Sequence, residues 1–135
     1  ELSFAAYGFI SPDQTSYIVV GHSGGHEGGI GYKITQENGR QCGGFCAIDY
    51  TDYYNYYWIY SVEDIKKSFS GELKPHEIRP TQYGKLPLLD YRYLITGADF
   101  NRNSSRLYFS IDKLDRTQSK YESQPVIWAF ELITK

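Results

Sequence analysis

Short runs of β-branched and aromatic residues recur along this chain, and each stops at a cluster containing glycine, proline, asparagine or aspartate. Branched and ring-bearing side chains fit a pleated surface, and the punctuating residues supply turn conformations that other side chains resist. The runs Phe4 to Ile10 and Tyr17-Ile18-Val19-Val20 flank Ser11-Pro12-Asp13-Gln14-Thr15, so the spacing predicts a hairpin. Gly21 to Gly31 reads as a glycine-rich loop, Ile30 to Thr35 as a strand, and Asn38-Gly39 as a turn. A strand is expected in the second half of the aromatic stretch Asp49 to Tyr60, and others at Tyr91 to Ala98, Arg106 to Ile111 and Val126 to Ile133. The near-continuous apolar character of the last predicts burial on both faces. Asp99 to Ser105 reads as a turn and Asp112 to Gln124 as a polar loop. Residues 72–90, with Pro75, Pro80 and Pro87, read as an extended connection. One short helix is expected near 62–70: Ser61 can cap it, Val62, Ile65 and Phe69 form a one-sided stripe, and Gly71 ends it. The fold class is therefore all-β with antiparallel sheets.

The length of 135 residues suits a single β-rich domain spanning 1–135. Fourteen basic residues against sixteen acidic give a net charge of −2, which offers no electrostatic reason to bind nucleic acid and no polybasic patch for an anionic membrane. No apolar run approaches the ~20 residues of a membrane-spanning helix, so no membrane insertion is expected. The sequence starts at Glu1 and contains no Met, so a removed leader or a piece of a longer chain is expected. Cys42 and Cys46, separated by Gly43-Gly44-Phe45, are spaced for a disulfide that pins a local loop. No second ligand pair stands at zinc spacing. A disulfide would fit an oxidising compartment, and the expected location is extracellular or periplasmic.

A weak internal repeat relates Ser11-Pro12-Asp13-Gln14-Thr15-Ser16-Tyr17-Ile18-Val19 to Asn101-Arg102-Asn103-Ser104-Ser105-Arg106-Leu107-Tyr108-Phe109. Each puts a small polar turn before an apolar strand, as the blades of a β-propeller do. Gly29-Ile30-Gly31-Tyr32-Lys33-Ile34-Thr35-Gln36 running into Cys42-Gly43-Gly44, then Asp52-Tyr53-Tyr54-Asn55-Tyr56-Tyr57-Trp58, and Ile95-Thr96-Gly97-Ala98-Asp99-Phe100 complete a pattern over most of the chain. On these residues the chain resembles the C-terminal region of secreted bacterial β-propeller-like proteins. The resemblance implies propeller-blade-like sheets and a secreted setting, but no activity. A blade takes ~40–45 residues, so the chain has room for about three. Closure by a missing propeller segment, pairing in a homo-oligomer, and a compact β fold of its own all remain open.

Several constellations could carry chemistry. His22 and His26, with Glu27, offer donors for a transition metal, although a glycine-rich segment does not hold two rings on one face as a helix would. The same glycines could cradle an anion with their N–H groups, or simply permit sharp turns. Gly21-His22-Ser23-Gly24-Gly25 is the nearest approach to a serine-nucleophile elbow and is not read as one. Asp49 and Asp52, flanked by Tyr50, Tyr53 and Tyr54 and followed by Tyr56, have two readings: a glycan platform of carboxylates and ring faces, or packing with the hydroxyls tied off. A calcium ion at Asp49 and Asp52 is a further reading, and no other cofactor is expected. Successive strand residues point to opposite faces, so the tyrosines cannot all meet one ligand. The expected function is a non-enzymatic extracellular recognition or structural module that binds glycan or protein through a Tyr-rich surface. The alternative is a hydrolase-type enzyme with a site near the His22/His26 glycine loop and Asp49.

Overall fold

A computed structural model describes residues 2–31, 49–88, 93–119 and 121–132. Two antiparallel meanders face each other. The first places β1 (Phe4–Ile10), β2 (Ser16–Gly24), β3 (Tyr53–Ser61) and β4 (Gln82–Lys85) side by side in chain order. The second does the same with β5 (Ile95–Asn101), β6 (Arg106–Ser119) and β7 (Glu122–Glu131). The helix α1 (Val62–Ser70) lies between β3 and β4 in the chain, and neither sheet closes on itself.

The expected first hairpin forms, and Asp13 explains its turn. The Asp13 carboxylate accepts bonds from the Ser11 hydroxyl and from the Thr15 N–H at 3.2 Å and hydroxyl at 2.9 Å. The Asn101 side chain plays a similar part between β5 and β6, accepting from the N–H groups of Asn103 at 3.0 Å and Ser104 at 3.2 Å. The weak repeat thus falls on the first hairpin of each sheet. Both opening strands also carry a register shift near their start, between Ala5 and Tyr7 and between Ile95 and Gly97.

The helix forms where its signals place it. The Ser61 hydroxyl accepts from the Asp64 N–H, and Gly71 adopts φ 85°, closing the C-terminus with bonds to the Lys67 and Ser68 carbonyls. Its stripe is only partly used. Val62 and Ile65 share an apolar recess with Ile10 and Tyr17, whereas Phe69 is 96 % exposed.

Several other expectations need correcting. The glycine-rich loop begins later than expected, because β2 continues through Gly24 opposite Tyr53. Within the expected extended connection, residues 72–88 hold β4 and a 3-10 turn at Pro75–Glu77; the prolines flank β4 without interrupting it. The polar stretch from Asp112 to Gln124 is a ribbon of β6 and β7, paired at Asp115–Gln124 and Ser119–Glu122 with irregular register. Past Leu114, which packs against the core, it leaves the core behind, so its side chains can be polar. Finally, β7 alternates between half-buried Val126, Trp128 and Phe130 and exposed Ile127 and Ala129, because only one face of the second sheet meets the first. The second sheet's opening strand runs from Ile95 to Asn101, three residues into the expected turn. Ile30 and Gly31 are not in a strand; 32–35, the Asn38-Gly39 turn and the Cys42/Cys46 pair lie outside the described residues.

The core lies between the sheets. Phe9 and Val20 from the first meet Ile95, Leu107, Phe109 and Ile111 from the second, with Ile95 and Ile111 fully buried. Each such side chain contributes roughly 1.5–3 kcal/mol by leaving water. Phe9 stacks on Phe100 at 4.6 Å between centroids, and the Phe100 N–H donates to the Tyr7 hydroxyl at 3.2 Å. A second polar link, at Asn55, crosses the interior. Asn55, 2 % exposed, accepts from the Ile95 N–H and donates to the Tyr93 carbonyl, both at 2.8 Å. An apolar cleft of about 360 Å³, lined by Phe9, Ile18, Tyr57, Leu88, Phe130 and Leu132 among others, opens from this interior.

Candidate functional site: an aromatic ledge and an acidic knot

Strand alternation divides the tyrosine run of β3. Tyr57 packs on the core and Asn55 reaches the second sheet, which fixes Tyr53, Asn55, Tyr57 and Ile59 as the inward set. Tyr54, Tyr56, Trp58 and Tyr60 therefore face outward. Register adds neighbours to this outer face: Tyr83 of β4 stands opposite Trp58, and Gly21 and Ser23 of β2 stand opposite Tyr56 and Tyr54.

Tyr56 is the centre of the ledge. It is 7 % exposed although it faces outward, because other rings surround it. His26 stacks on it at 5.0 Å with an interplanar angle of 7°, Trp58 tilts against it at 5.1 Å, and Tyr83 stacks at 6.4 Å. Burial pushes the Tyr56 hydroxyl above its ordinary pKa, and Tyr83 adds to the shift. Beside these rings runs a groove of about 230 Å³, bordered by His26, Tyr56, Trp58 and Tyr83 with the hydroxyls of Ser3 and Ser23. Those hydroxyls lie 3.0 Å apart. Tyr83 is 62 % exposed, so the ledge presents ring surface to solvent.

An acidic knot sits next to it. Asp52 Oδ2 accepts from the backbone N–H groups of Glu27 at 2.7 Å and Gly28 at 2.8 Å, and its carbonyl accepts from the Gly25 N–H at 3.0 Å. These bonds fold the glycine segment back onto the start of β3, with Gly25 and Gly29 at φ near 75° supplying conformations other residues resist. Asp49 holds the adjoining turn: its Oδ1 accepts from the Thr51 N–H at 2.9 Å and hydroxyl at 2.8 Å. Burial alone would raise the Asp52 pKa, but the Glu27 and Gly28 N–H groups, the Tyr54 hydroxyl and nearby His26 outweigh it, and the carboxyl sits below its usual range. Lys85 spans the edge, 3.2 Å from Glu27 and 3.6 Å above the centroid of the Tyr54 ring.

The residues singled out in the sequence thus separate into groups. Tyr54, Asp49 and Asp52 line one polar cavity, and Tyr56 lines the groove beside it. Tyr53 points the other way and bonds His22 Nδ1. His22 is sandwiched on the inward side, stacked on Phe4 at 4.8 Å, and burial holds its pKa below the ordinary value. His26 stands on the outward side, so the two rings do not converge on one ion or one reaction centre. Among the described residues no group of three or more His, Cys, Asp or Glu is placed to hold a metal. By spacing alone Gly21-His22-Ser23-Gly24-Gly25 does fit Gly-x-Ser-x-Gly, but Ser23 lies within β2, opposite Tyr54 and bonded to Ser3, with no strand-to-helix turn to present its hydroxyl. Tyr83 and Lys85 were not legible as site residues, and Trp58 was legible only as one ring of the aromatic run. The alternation of β3 could have flagged Trp58, whereas Tyr83 and Lys85 join only through pairing with a strand hidden among prolines.

No described helix is long and apolar enough to cross a membrane. In comparison with known proteins, no family model matches the chain, and no curated protein or solved structure matches it either.

Proposed function

We propose that the chain is a non-enzymatic recognition module of an extracellular or periplasmic protein, and that the outer ledge of its first sheet binds glycan. The observation that carries this reading is the gathering of His26, Trp58 and Tyr83 around Tyr56, beside a groove bordered by two hydroxyls. Ring faces accept the C–H faces of pyranoses, and hydroxyls at the rim can bond sugar hydroxyls. The ledge offers a long side chain of each charge, Lys85 and Glu27, but they pair with each other, which leaves a neutral surface suited to a neutral ligand. A glycan array followed by titration of the retained sugars tests this. Trp58→Ala and Tyr83→Ala should each weaken binding by about tenfold or more. Ile127→Ser, on the outer face of the other sheet, should leave it unchanged. An array that retains nothing, or retained sugars that bind both variants as well as the parent, contradicts the proposal.

The two meanders further support reading the chain as two consecutive propeller-type blades. Both run in simple chain order, and their opening strands face each other through Phe9 and Phe100. Among the described residues such an arrangement leaves strand edges unpaired, and proteins cover or pair exposed edges. A further blade or a second copy of the chain would do so. A monodisperse monomer in light scattering at micromolar concentration would count against the second copy.

A further inference from the structure

We propose that the cavity at the acidic knot binds a calcium ion through Asp52. The inference is independent of the glycan reading, because it rests on a different cavity. Asp52 is 5 % exposed, so its carboxylate is almost wholly withdrawn from water. Its Oδ2 is satisfied by two backbone N–H groups, but its Oδ1 is buried without any hydrogen-bond partner. A buried polar atom left bare costs about 1–3 kcal/mol, and more when it carries charge. Such an atom is rare in native proteins and calls for a partner.

The chemistry of the surroundings selects a hard cation. The cavity beside Asp52 has a volume of about 190 Å³ and is lined by Glu27, Gly28, Asp49, Thr51, Asp52 and Tyr54. Their side chains offer carboxylate and hydroxyl oxygens and no nitrogen or sulfur. Oxygen-only sets suit calcium or magnesium over zinc or copper. Calcium tolerates irregular geometry and completes six to eight ligands with water, whereas magnesium demands a near-ideal octahedron. A backbone-held carboxylate in a sequence-irregular turn fits the former. The Lys85 ammonium is paired with Glu27 and lies over the Tyr54 ring, so it does not replace the ion. An ion here would tie the 25–28 segment to the 49–52 turn, adding metal bonds to a junction now held by hydrogen bonds.

Terbium luminescence on the full chain tests the site, because a lanthanide in this cavity is sensitised by the tyrosine that lines it. Luminescence should rise saturably with terbium and fall on addition of calcium, while sodium at matched ionic strength leaves it unchanged. Calcium should also raise the melting temperature of the parent in a concentration-dependent way. Asp52→Asn keeps an acceptor for the Glu27 and Gly28 N–H groups but removes the charge, and should weaken calcium-competed terbium binding at least tenfold. If that variant does not fold, the parent's terbium signal and its competition by calcium still decide the matter. A parent with no terbium signal and no calcium-dependent melting shift at millimolar concentrations overturns the proposal. So does a folded Asp52→Asn variant that binds as tightly as the parent.

Discussion

The opening hairpins of the two sheets share a design: a strand with an early register shift, a polar turn closed by an Asp or Asn side chain, and a phenylalanine that stacks on its counterpart. Their outer faces diverge. On the first sheet Tyr54, Tyr56 and Trp58 crowd together with His26 and Tyr83. On the second, the corresponding face carries Arg106, Tyr108, Ser110, exposed Ile127 and Glu131, with no comparable ring cluster among the described residues. Inner faces follow the same apolar rule because both must bury against each other. Only the outer faces are free to differ, and that is where the rings collect.

The largest expected effect concerns what joins the sheets. Asn55→Leu removes both bonds to the second sheet and should lower stability by about 2–4 kcal/mol in urea unfolding. A loss below about 1 kcal/mol would mean that apolar packing, with the Tyr7–Phe100 bond, suffices to hold the two together.

Next come the glycines, where the sheets should respond in opposite ways. A Cβ at Gly21 would fall 1.9 Å from the Phe4 carbonyl oxygen, a backbone atom that cannot swing aside. Gly21→Ala should therefore cost about 1–3 kcal/mol. At Gly97 the nearest atom to such a Cβ is Ser110 Cβ at 4.0 Å. Gly97→Ala should be neutral or stabilise by up to about 1 kcal/mol. Equal effects at the two positions would erase this contrast between the paired hairpins.

The first sheet should also carry the acid sensitivity. Asp52 has a folded pKa below its unfolded value, so its contribution is present above about pH 4 and lost as pH falls through the lowered value. His22 is likewise depressed, by burial, so folding disfavours its protonation and stability declines as pH drops from about 6.5 through the folded value. Asp52→Asn should flatten the lower limb of a stability–pH profile and leave the upper one. A lower limb of unchanged slope in that variant would remove Asp52 as its source. The smallest effects belong to the outer faces: Tyr83→Ser and Ile127→Ser should each shift stability by no more than about 0.5 kcal/mol, which makes Tyr83 a clean probe of binding.

What could be read in advance was local. The hairpin at Ser11 to Thr15 and the helix from Ser61 to Gly71 announce themselves because their signals are a few residues apart. The division of the tyrosine run was legible in period but not in sense: alternation puts Tyr54 with Tyr56, yet it takes Tyr57 packed on the core and the bonds of Asn55 to reveal which set faces out. β4 was hidden because four residues between Pro80 and Pro87 acquire strand character only by pairing with Tyr56 to Ile59. The ribbon beyond Asp112 was hidden for the opposite reason, since strands outside a core need no apolar pattern. Asp52 stood out as a carboxylate beside rings, but its burial depends on the Glu27 and Gly28 N–H groups folding back over it.

The chain contains two tryptophans, one in each sheet, which allows the outer ledge to be watched directly. In Trp128→Phe the remaining indole is Trp58, beside the groove; in Trp58→Phe it is Trp128, packed against the core. Titrating each with a glycan retained on the array should change Trp58 emission saturably and leave Trp128 emission flat. A saturable change confined to Trp128, or no change in either protein under conditions where binding is detected independently, would place the ligand away from the ledge.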